Sequence, residues 1–163
     1  MRIGVISDTH IPVTAPELPG ELLSGLAGCD LILHAGDIIE SSVLDSLRSV
    51  APVTAVRGNM DSLELREKLP DKIIIEAEDV HIGMIHGSGL HSRVISSVSE
   101  EFDKQVDIVV FGHTHTPLNE KRGNVLFFNP GSPTDKIFAP YRSFGIIAVN
   151  GRSFSGEIIK IGG

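Results

Sequence analysis

Short runs rich in valine and isoleucine recur along the chain, and nearly every run ends in a polar residue. Each run is only a few residues long, which is typical of a buried strand in an α/β sheet. Stretches with helical spacing lie between several runs, so we predict right-handed crossovers and a largely parallel sheet in the N-terminal half. The runs are RIGVIS (2–7), DLILHAG (30–36), PVTAVRG (52–58), VHIGMIH (80–86) and DIVVFGH (107–113).

Apolar residues at helical spacing predict three helices, whereas the C-terminal third lacks this spacing. There, the strand-like runs 124–132, 143–151 and 155–161 are joined by Gly, Asn and Pro turns, which predicts an antiparallel second sheet. A further pair, 72–78 and 80–86, is separated by little more than one residue. We therefore predict two packed sheets with helices outside, in a single domain over residues 1–163. The helical sets are Leu18, Leu22, Leu23 and Leu26; Val43, Leu44 and Leu47; and Val94, Ile95, Val98 and Phe102.

The polar residues that follow the predicted strands are of types that bind metal ions. Because the carboxyl ends of parallel strands meet at one edge of a sheet, residues far apart in sequence can converge there. Glycines at positions 36, 58, 87 and 112 permit tight turns and close backbone approach. The candidate ligands are Asp8, His10, Asp37, Asn59, His86, His113 and His115.

This set of ligands predicts a dinuclear metal site. Four imidazoles, two carboxylates and one amide contain too much nitrogen for calcium or for magnesium alone, so manganese, iron, zinc, cobalt or nickel would suit. The set exceeds what one ion can use, but it suits two ions that share a carboxylate. Two divalent cations with two aspartates leave a local charge of about +2, which favours an anionic phosphate and lowers the pKa of a bridging water.

Taken singly, several of these residues have ordinary structural roles open to them. His10 or His86 could be a hydrogen-bonded histidine at the edge of the core, Asp8 could cap a turn, and Asn59 could be a left-handed turn residue. Only the set as a whole favours a metal site. For His34, support of the adjacent turn and an ordinary buried histidine are equally open.

His113 and His115 are the strongest single candidates, because their spacing on an extended segment can aim both rings at one place. His81 and His91 are assigned no role.

Composition excludes several classes of function. The net charge of −7 argues against electrostatic binding of nucleic acid over a broad surface, so we expect a small phosphorylated substrate and no stable nucleic-acid complex. The single cysteine, Cys29, excludes a disulfide framework and favours the reducing cytoplasm. The first ten residues lack a signal-peptide pattern, and no run of 18 apolar residues occurs, so we expect neither export nor a membrane span.

The order and spacing of the motifs resemble the calcineurin-like metallophosphoesterases. The motifs are DTH (8–10), GD (36–37), GNMD (58–61), HG (86–87) and GHTH (112–115). The short length and NPGS (129–132) resemble the small phosphodiesterase branch of bacteria and archaea. The resemblance covers the chain from Met1 to about Ser132, and it implies a four-layer α/β/β/α sandwich with phosphoric diester hydrolase activity.

The resemblance also implies how the ligands are shared between two divalent ions, with manganese expected first. Asp37 would bridge the ions, and Asp37, Asn59 and His86 are the expected catalytic residues. A hydroxide activated by the two ions would attack phosphorus in line with the departing alcohol. The first ion would be held by Asp8, His10 and His115, and the second by Asn59, His86 and His113.

One position departs from the family pattern. Many members carry a histidine where this chain has Met60, and that histidine is thought to protonate the leaving group or contact the phosphate. Because methionine cannot donate a proton, we expect diesters or good leaving groups to be favoured over alkyl phosphomonoesters. Asp61 could orient a ligand or a histidine. Asn59 and Ser132 are expected to contact the substrate, although a plain Pro-Gly turn is an equal alternative for Ser132.

Two other functions are compatible with the sequence. One is a non-enzymatic scaffold that binds partner proteins, as the retromer subunit of similar fold is thought to do; the other is a nucleotide phosphohydrolase or nuclease. Every ligand position of the motifs carries a competent residue, which favours an enzyme. The oligomeric state is open between a homo-oligomer and a monomer, since Ile137, Phe138 and Tyr141 could serve an interface or merely cover the core.

Overall fold

Two five-stranded sheets form the framework of the protein in a computed structural model that describes residues 1–89, 93–102 and 105–162. The strands are β1 (Arg2–Ile6), β2 (Leu31–His34), β3 (Val53–Ala55), β4 (Lys72–Ala77), β5 (Val80–Ile85), β6 (Ile108–Val110), β7 (Leu118–Arg122), β8 (Val125–Asn129), β9 (Ser143–Asn150) and β10 (Ser153–Lys160). The helices are α1 (Gly20–Leu26), α2 (Ser41–Arg48), α3 (Leu63–Lys68) and α4 (Val94–Glu100). The strand order is β10-β9-β1-β2-β3 in the first sheet and β4-β5-β6-β8-β7 in the second.

The molecule has four layers, with an apolar cluster between each pair of neighbouring layers. The inner faces of the two sheets pack together through alternate strand residues, among them Ile3 of β1 and Ile82 of β5. Helices α1, α2 and α3 cover the outer face of the first sheet, where Leu22 packs with Ile6. Helix α4 covers the second sheet through residues such as Val98. The predicted α/β/β/α sandwich is confirmed.

The three predicted helices and the hairpin of 72–78 with 80–86 are also confirmed by α1, α2, α4 and the antiparallel β4–β5 pair, although Leu18 lies before α1 and Phe102 after α4. Two elements were not predicted. Helix α3 buries only Leu65, and β7 (LNEKR) is a polar strand at the edge of its sheet, so neither shows a strong apolar period.

The prediction that the C-terminal strands form an antiparallel second sheet was wrong. Strands β9 and β10 pair antiparallel with each other, and β9 adds to β1 in the first sheet. Strand β8 lies in the second sheet, parallel to β6. Alternation of apolar residues indicates which face of a strand is buried, but it does not indicate which strand becomes the neighbour. The edge of β1 that does not pair with β2 pairs with β9, so the β9–β10 hairpin extends the first sheet.

Parallel pairing sets the position of the loops that carry the predicted ligands. Strands β1, β2 and β3 run parallel in one sheet, and β5, β6 and β8 run parallel in the other. The loops after their carboxyl ends hold all the candidate ligands. Within the described residues, no helix is long and apolar enough to span a bilayer. His91 lies outside those residues.

Candidate metal centre

The predicted ligands of the first ion and the predicted bridge lie in contact with one another. Nε2 of His10 is 3.2 Å from Nε2 of His115 and 3.4 Å from Oδ2 of Asp37. On the other side, Nε2 of His86 is 3.3 Å from the same oxygen of Asp37. The Asp37 carboxylate therefore lies between two groups of imidazoles.

The remaining candidates complete the two groups. Oδ1 of Asn59 is 3.1 Å from Nε2 of His86 and 3.3 Å from Nδ1 of His113. Oδ1 of Asp8 is 3.5 Å from Nε2 of His115. Donor atoms within 4.8 Å of one another form two sets, Asp8, His10 and His115 and Asp8, Asp37 and His86. The structure thus brings all the predicted ligands together and places Asp8 near both sets.

Most of these ligands lie on turns with left-handed backbone conformations. The φ angles are 53° at Asp8, 43° at His10, 56° at Asp37, 68° at His113 and 54° at His115. Such conformations cost about 1–2 kcal/mol per residue outside glycine, and they persist where surrounding contacts hold them. Here, for example, the Asp8 amide donates to the Gly36 carbonyl at 3.0 Å, and the Asp8 carboxylate accepts from the His113 amide at 3.0 Å.

Two glycines allow the turns to approach one another closely. A Cβ atom at Gly58 would lie 2.1 Å from Oδ1 of Asp37, and one at Gly112 would lie 2.7 Å from Oδ2 of Asp8. Real Cβ atoms do not approach other atoms so closely, so both positions require glycine. These contacts explain two of the four glycines that accompany the candidate ligands in the sequence.

The charges of the site favour bound cations. Burial lowers the pKa of His86, but its contact with Asp37 and the charges of Asp8 and Asp37 outweigh burial and raise it to about 9. His10 behaves in the same way, with a raised pKa. Burial raises the pKa of Asp37, but the neighbouring histidine and a backbone amide lower it below its usual value. In the metal-free protein, protons on histidine supply charge that bound cations would replace, with release of those protons.

Two buried residues support the turns that carry the ligands. The Asp61 carboxylate accepts the backbone N–H groups of Ile38, Ile39 and Gly58 at 2.5, 2.8 and 2.6 Å, and it thereby ties the turn after β2 to the turn after β3. His34 contacts the Thr9 hydroxyl at 3.1 Å and accepts the Gly36 amide at 3.2 Å. Burial lowers the pKa of His34 to about 3, so its ring is neutral. Both residues hold the site without facing its opening.

Asp135 belongs to the site although no motif or strand-end pattern in the sequence indicated it. Its Oδ2 atom lies 2.5 Å from Nδ1 of His115, and its Oδ1 atom accepts the amides of Ile137 and Phe138. Burial raises the pKa of Asp135, but the His115 contact and these amides outweigh burial and lower it, so the carboxylate is ionised. It therefore holds the proton of His115 on Nδ1 and leaves Nε2 for a metal.

We expect Asp135→Asn to weaken binding of a divalent cation by about 10- to 100-fold, because His115 loses the carboxylate that orients its ring. Titration calorimetry of manganese into metal-free protein measures this change. Asp45→Asn is the matched control, since the Asp45 side chain is 73% exposed on α2. Equal affinity in the Asp135 variant and the wild type would contradict the assigned role.

Ser132 is not placed where its hydroxyl could contact a substrate. The residue is fully buried, and its hydroxyl donates to the Asp8 carbonyl at 2.7 Å and accepts the Asp135 amide at 3.0 Å. It joins Asp8 to the segment that carries Asp135, which is a positioning role. Asn59 and Met60, by contrast, are exposed at the opening, with Met60 53% exposed.

Comparison with known proteins agrees with this fold. Residues 1–152 match the family described as the calcineurin-like phosphoesterase superfamily domain. A probable metallophosphoesterase of Methanocaldococcus jannaschii is 44% identical over 136 residues, which are 82% of this chain and 69% of that protein. The phosphodiesterase YfcE of Escherichia coli is 27% identical over 180 residues, with 97% of each chain covered.

A solved structure shows the same architecture. Vps29 of Chaetomium thermophilum superposes with a TM-score of 0.82 at 24% identity, over 97% of this chain and 96% of that one. At this level of identity the likeness shows the fold alone.

Proposed function

The chain belongs to the calcineurin-like phosphoesterase superfamily, and we propose that it is a metal-dependent phosphodiesterase that hydrolyses small phosphodiesters. The observation that carries this proposal is the position of Asp37, whose Oδ2 atom lies 3.4 Å from Nε2 of His10 and 3.3 Å from Nε2 of His86. A carboxylate between two groups of imidazoles is suited to bridge two cations.

The residues present fit two divalent cations. Asp37 would bridge them, and manganese is our first proposal because the mixed nitrogen and oxygen donors suit it, as they would iron, zinc, cobalt or nickel. When bound, such ions lower the pKa of a water molecule and neutralise charge on phosphoryl oxygens. Asp8, His10 and His115 would hold the first ion, and Asn59, His86 and His113 the second.

The side chains at the opening bear on the choice of substrate. The Asn59 amide can contact a phosphoryl oxygen from the second group of ligands. Met60 lies beside it, exposed, and cannot give a proton to a departing alkoxide. Substrates whose leaving group departs without a proton are therefore favoured, such as aryl diesters.

The direct test is hydrolysis by metal-stripped protein with and without added manganese. We expect turnover of bis(p-nitrophenyl) phosphate to depend on the metal and to exceed that of an alkyl phosphomonoester. Metal content measured on the same samples links activity to occupancy. Faster hydrolysis of the alkyl monoester would contradict the role given to Met60. Absence of both bound metal and turnover would contradict the proposed function.

The alternatives receive less support. A metal-free scaffold would not need donors at every ligand position, and those donors converge here. A nuclease needs a cationic surface for nucleic acid, whereas the net charge is −7.

We further propose one domain over residues 1–163 and a cytoplasmic location, the latter consistent with the unpaired, buried Cys29. A homo-oligomer stays a prediction, supported by Ile137 and Phe138, which are 82% and 81% exposed.

A further inference from the structure

A cavity of about 640 Å³ opens directly beside the second group of ligands. Asn59 and His86 form its wall on the side of the metal centre, and Ser97 of α4 lies on another wall. The volume is far larger than a phosphate group needs and falls within the roughly 300–1,000 Å³ of sites that bind small molecules. The cavity therefore has room for an organic group attached to a phosphate that lies over the metal centre.

The charged groups of the cavity differ in how fully they are engaged. Arg57 donates from Nε and Nη2 to the Asp71 carboxylate at 2.6 and 2.8 Å, and from Nη1 to the Arg66 carbonyl. Lys72 donates to the Glu101 carboxylate at 2.7 Å. These two cations are each paired with an acidic side chain, so the part of the cavity that they line is close to neutral.

Arg66 is engaged differently. Its Nη2 atom donates to the backbone carbonyl of Asn59 at 2.9 Å, and this neutral oxygen does not cancel the guanidinium charge. The charge consequently lies at the end of the cavity nearest the metal centre, next to a predicted ligand. An anionic group is favoured at that end, and an uncharged group with hydroxyls is favoured among Ser88, Ser97 and the paired ions.

From this distribution of space and charge, we infer that the cavity binds one alcohol substituent of a phosphodiester, of about the size of a nucleoside, and that Arg66 contacts the phosphate. The inference rests on the proposed diesterase function. Arg66 would thereby supply a phosphate contact that Met60, in place of the usual family histidine, cannot make. The substituent would lie against Ile85, Val98 and the serines that line the cavity.

Two substrates with the same leaving group separate the cavity from the chemistry. Thymidine 5′-(p-nitrophenyl) phosphate carries a large substituent, and methyl p-nitrophenyl phosphate a small one. We expect kcat/KM to be at least about tenfold higher for the thymidine ester in the wild type, and Ser97→Phe to remove that preference while leaving the methyl ester within about twofold. Ser99→Phe is the matched control, because Ser99 lies exposed on the same helix and outside the cavity. Ser88→Phe, in an exposed loop, repeats the test if Ser97→Phe folds poorly.

Arg66→Met should raise KM for both esters by about tenfold, with partial recovery in Arg66→Lys, since a lysine retains charge without the planar guanidinium. Binding of the thymidine ester, followed by calorimetry in the presence of manganese, gives a readout that does not need turnover. Equal loss of both esters in Ser97→Phe with unchanged metal content, or no loss of either, would overturn the inference. If the wild type hydrolyses neither ester, the proposed function fails. The cavity inference is then tested by binding alone: loss of thymidine ester binding in Ser97→Phe supports it, and unchanged binding overturns it.

Discussion

Replacement of Asp37 by asparagine is expected to lower kcat for bis(p-nitrophenyl) phosphate by about 1,000-fold or more, which corresponds to roughly 4 kcal/mol of lost transition-state stabilisation. The Asp37 carboxylate approaches imidazoles of both groups within 3.4 Å, so its charge is shared by both predicted cation sites. A neutral amide of the same size removes this charge. In the wild type the Met60 amide donates to Oδ1 of Asp37 at 2.7 Å, and asparagine keeps an oxygen that can accept this hydrogen bond.

The measurement combines steady-state kinetics with metal analysis and thermal unfolding of the same preparations. The Asp37 variant should bind fewer than two equivalents of manganese, and we expect both it and the wild type to unfold in one cooperative transition. Asp45→Asn, the same substitution on the exposed face of α2, should change neither activity nor metal content. Two bound equivalents together with turnover within about tenfold of the wild type would show that Asp37 does not bridge the ions.

The candidate ligands could be found from the sequence because their positions follow from topology. Strands that run parallel end at the same edge of a sheet, so the polar residue after each strand is predictable from the pattern alone. Asp8, Asp37 and His86 each follow a strand in this way, and the structure brings them together. The conformations that aim them were not predictable. A φ of 53° at Asp8 results from contacts with other loops, which a local pattern does not contain.

Asp135 escaped prediction for a related reason. It lies in the irregular segment after β8, 20 residues after the histidine that it contacts. Strand β8 runs parallel to β6, but the run 124–132 was predicted to lie in an antiparallel sheet, so its carboxyl end was not expected at the site. For Ser132, which the family motif includes, substrate contact and a plain Pro-Gly turn were equal alternatives, and the residue lies buried beneath Asp8. A motif identifies residues that matter to a site, but whether a hydroxyl faces the substrate or the backbone depends on packing.

Asp61 was predicted as a residue that could orient a ligand or a histidine, and in the structure its contacts are to backbone amides of the turns that carry Asp37 and Asn59. Its carboxylate, in a residue that is 5% exposed, is the acceptor for three backbone amides in two separate turns. Asp61→Ala would leave these donors buried without a partner, at about 1–3 kcal/mol each. We therefore expect the free energy of unfolding to fall by about 3 kcal/mol or more, a large share of the roughly 5–15 kcal/mol of a typical domain.

Denaturant unfolding in the presence of a chelator measures this effect apart from any loss of bound metal. Asp61→Asn should lie between the alanine variant and the wild type, because it retains one acceptor oxygen but brings an NH₂ group toward the amides. Asp45→Ala is the matched control and should change stability by less than about 0.5 kcal/mol, since its ion pair with Arg48 is exposed. If Asp61→Ala unfolds within about 1 kcal/mol of the wild type, the two turns are held by other contacts.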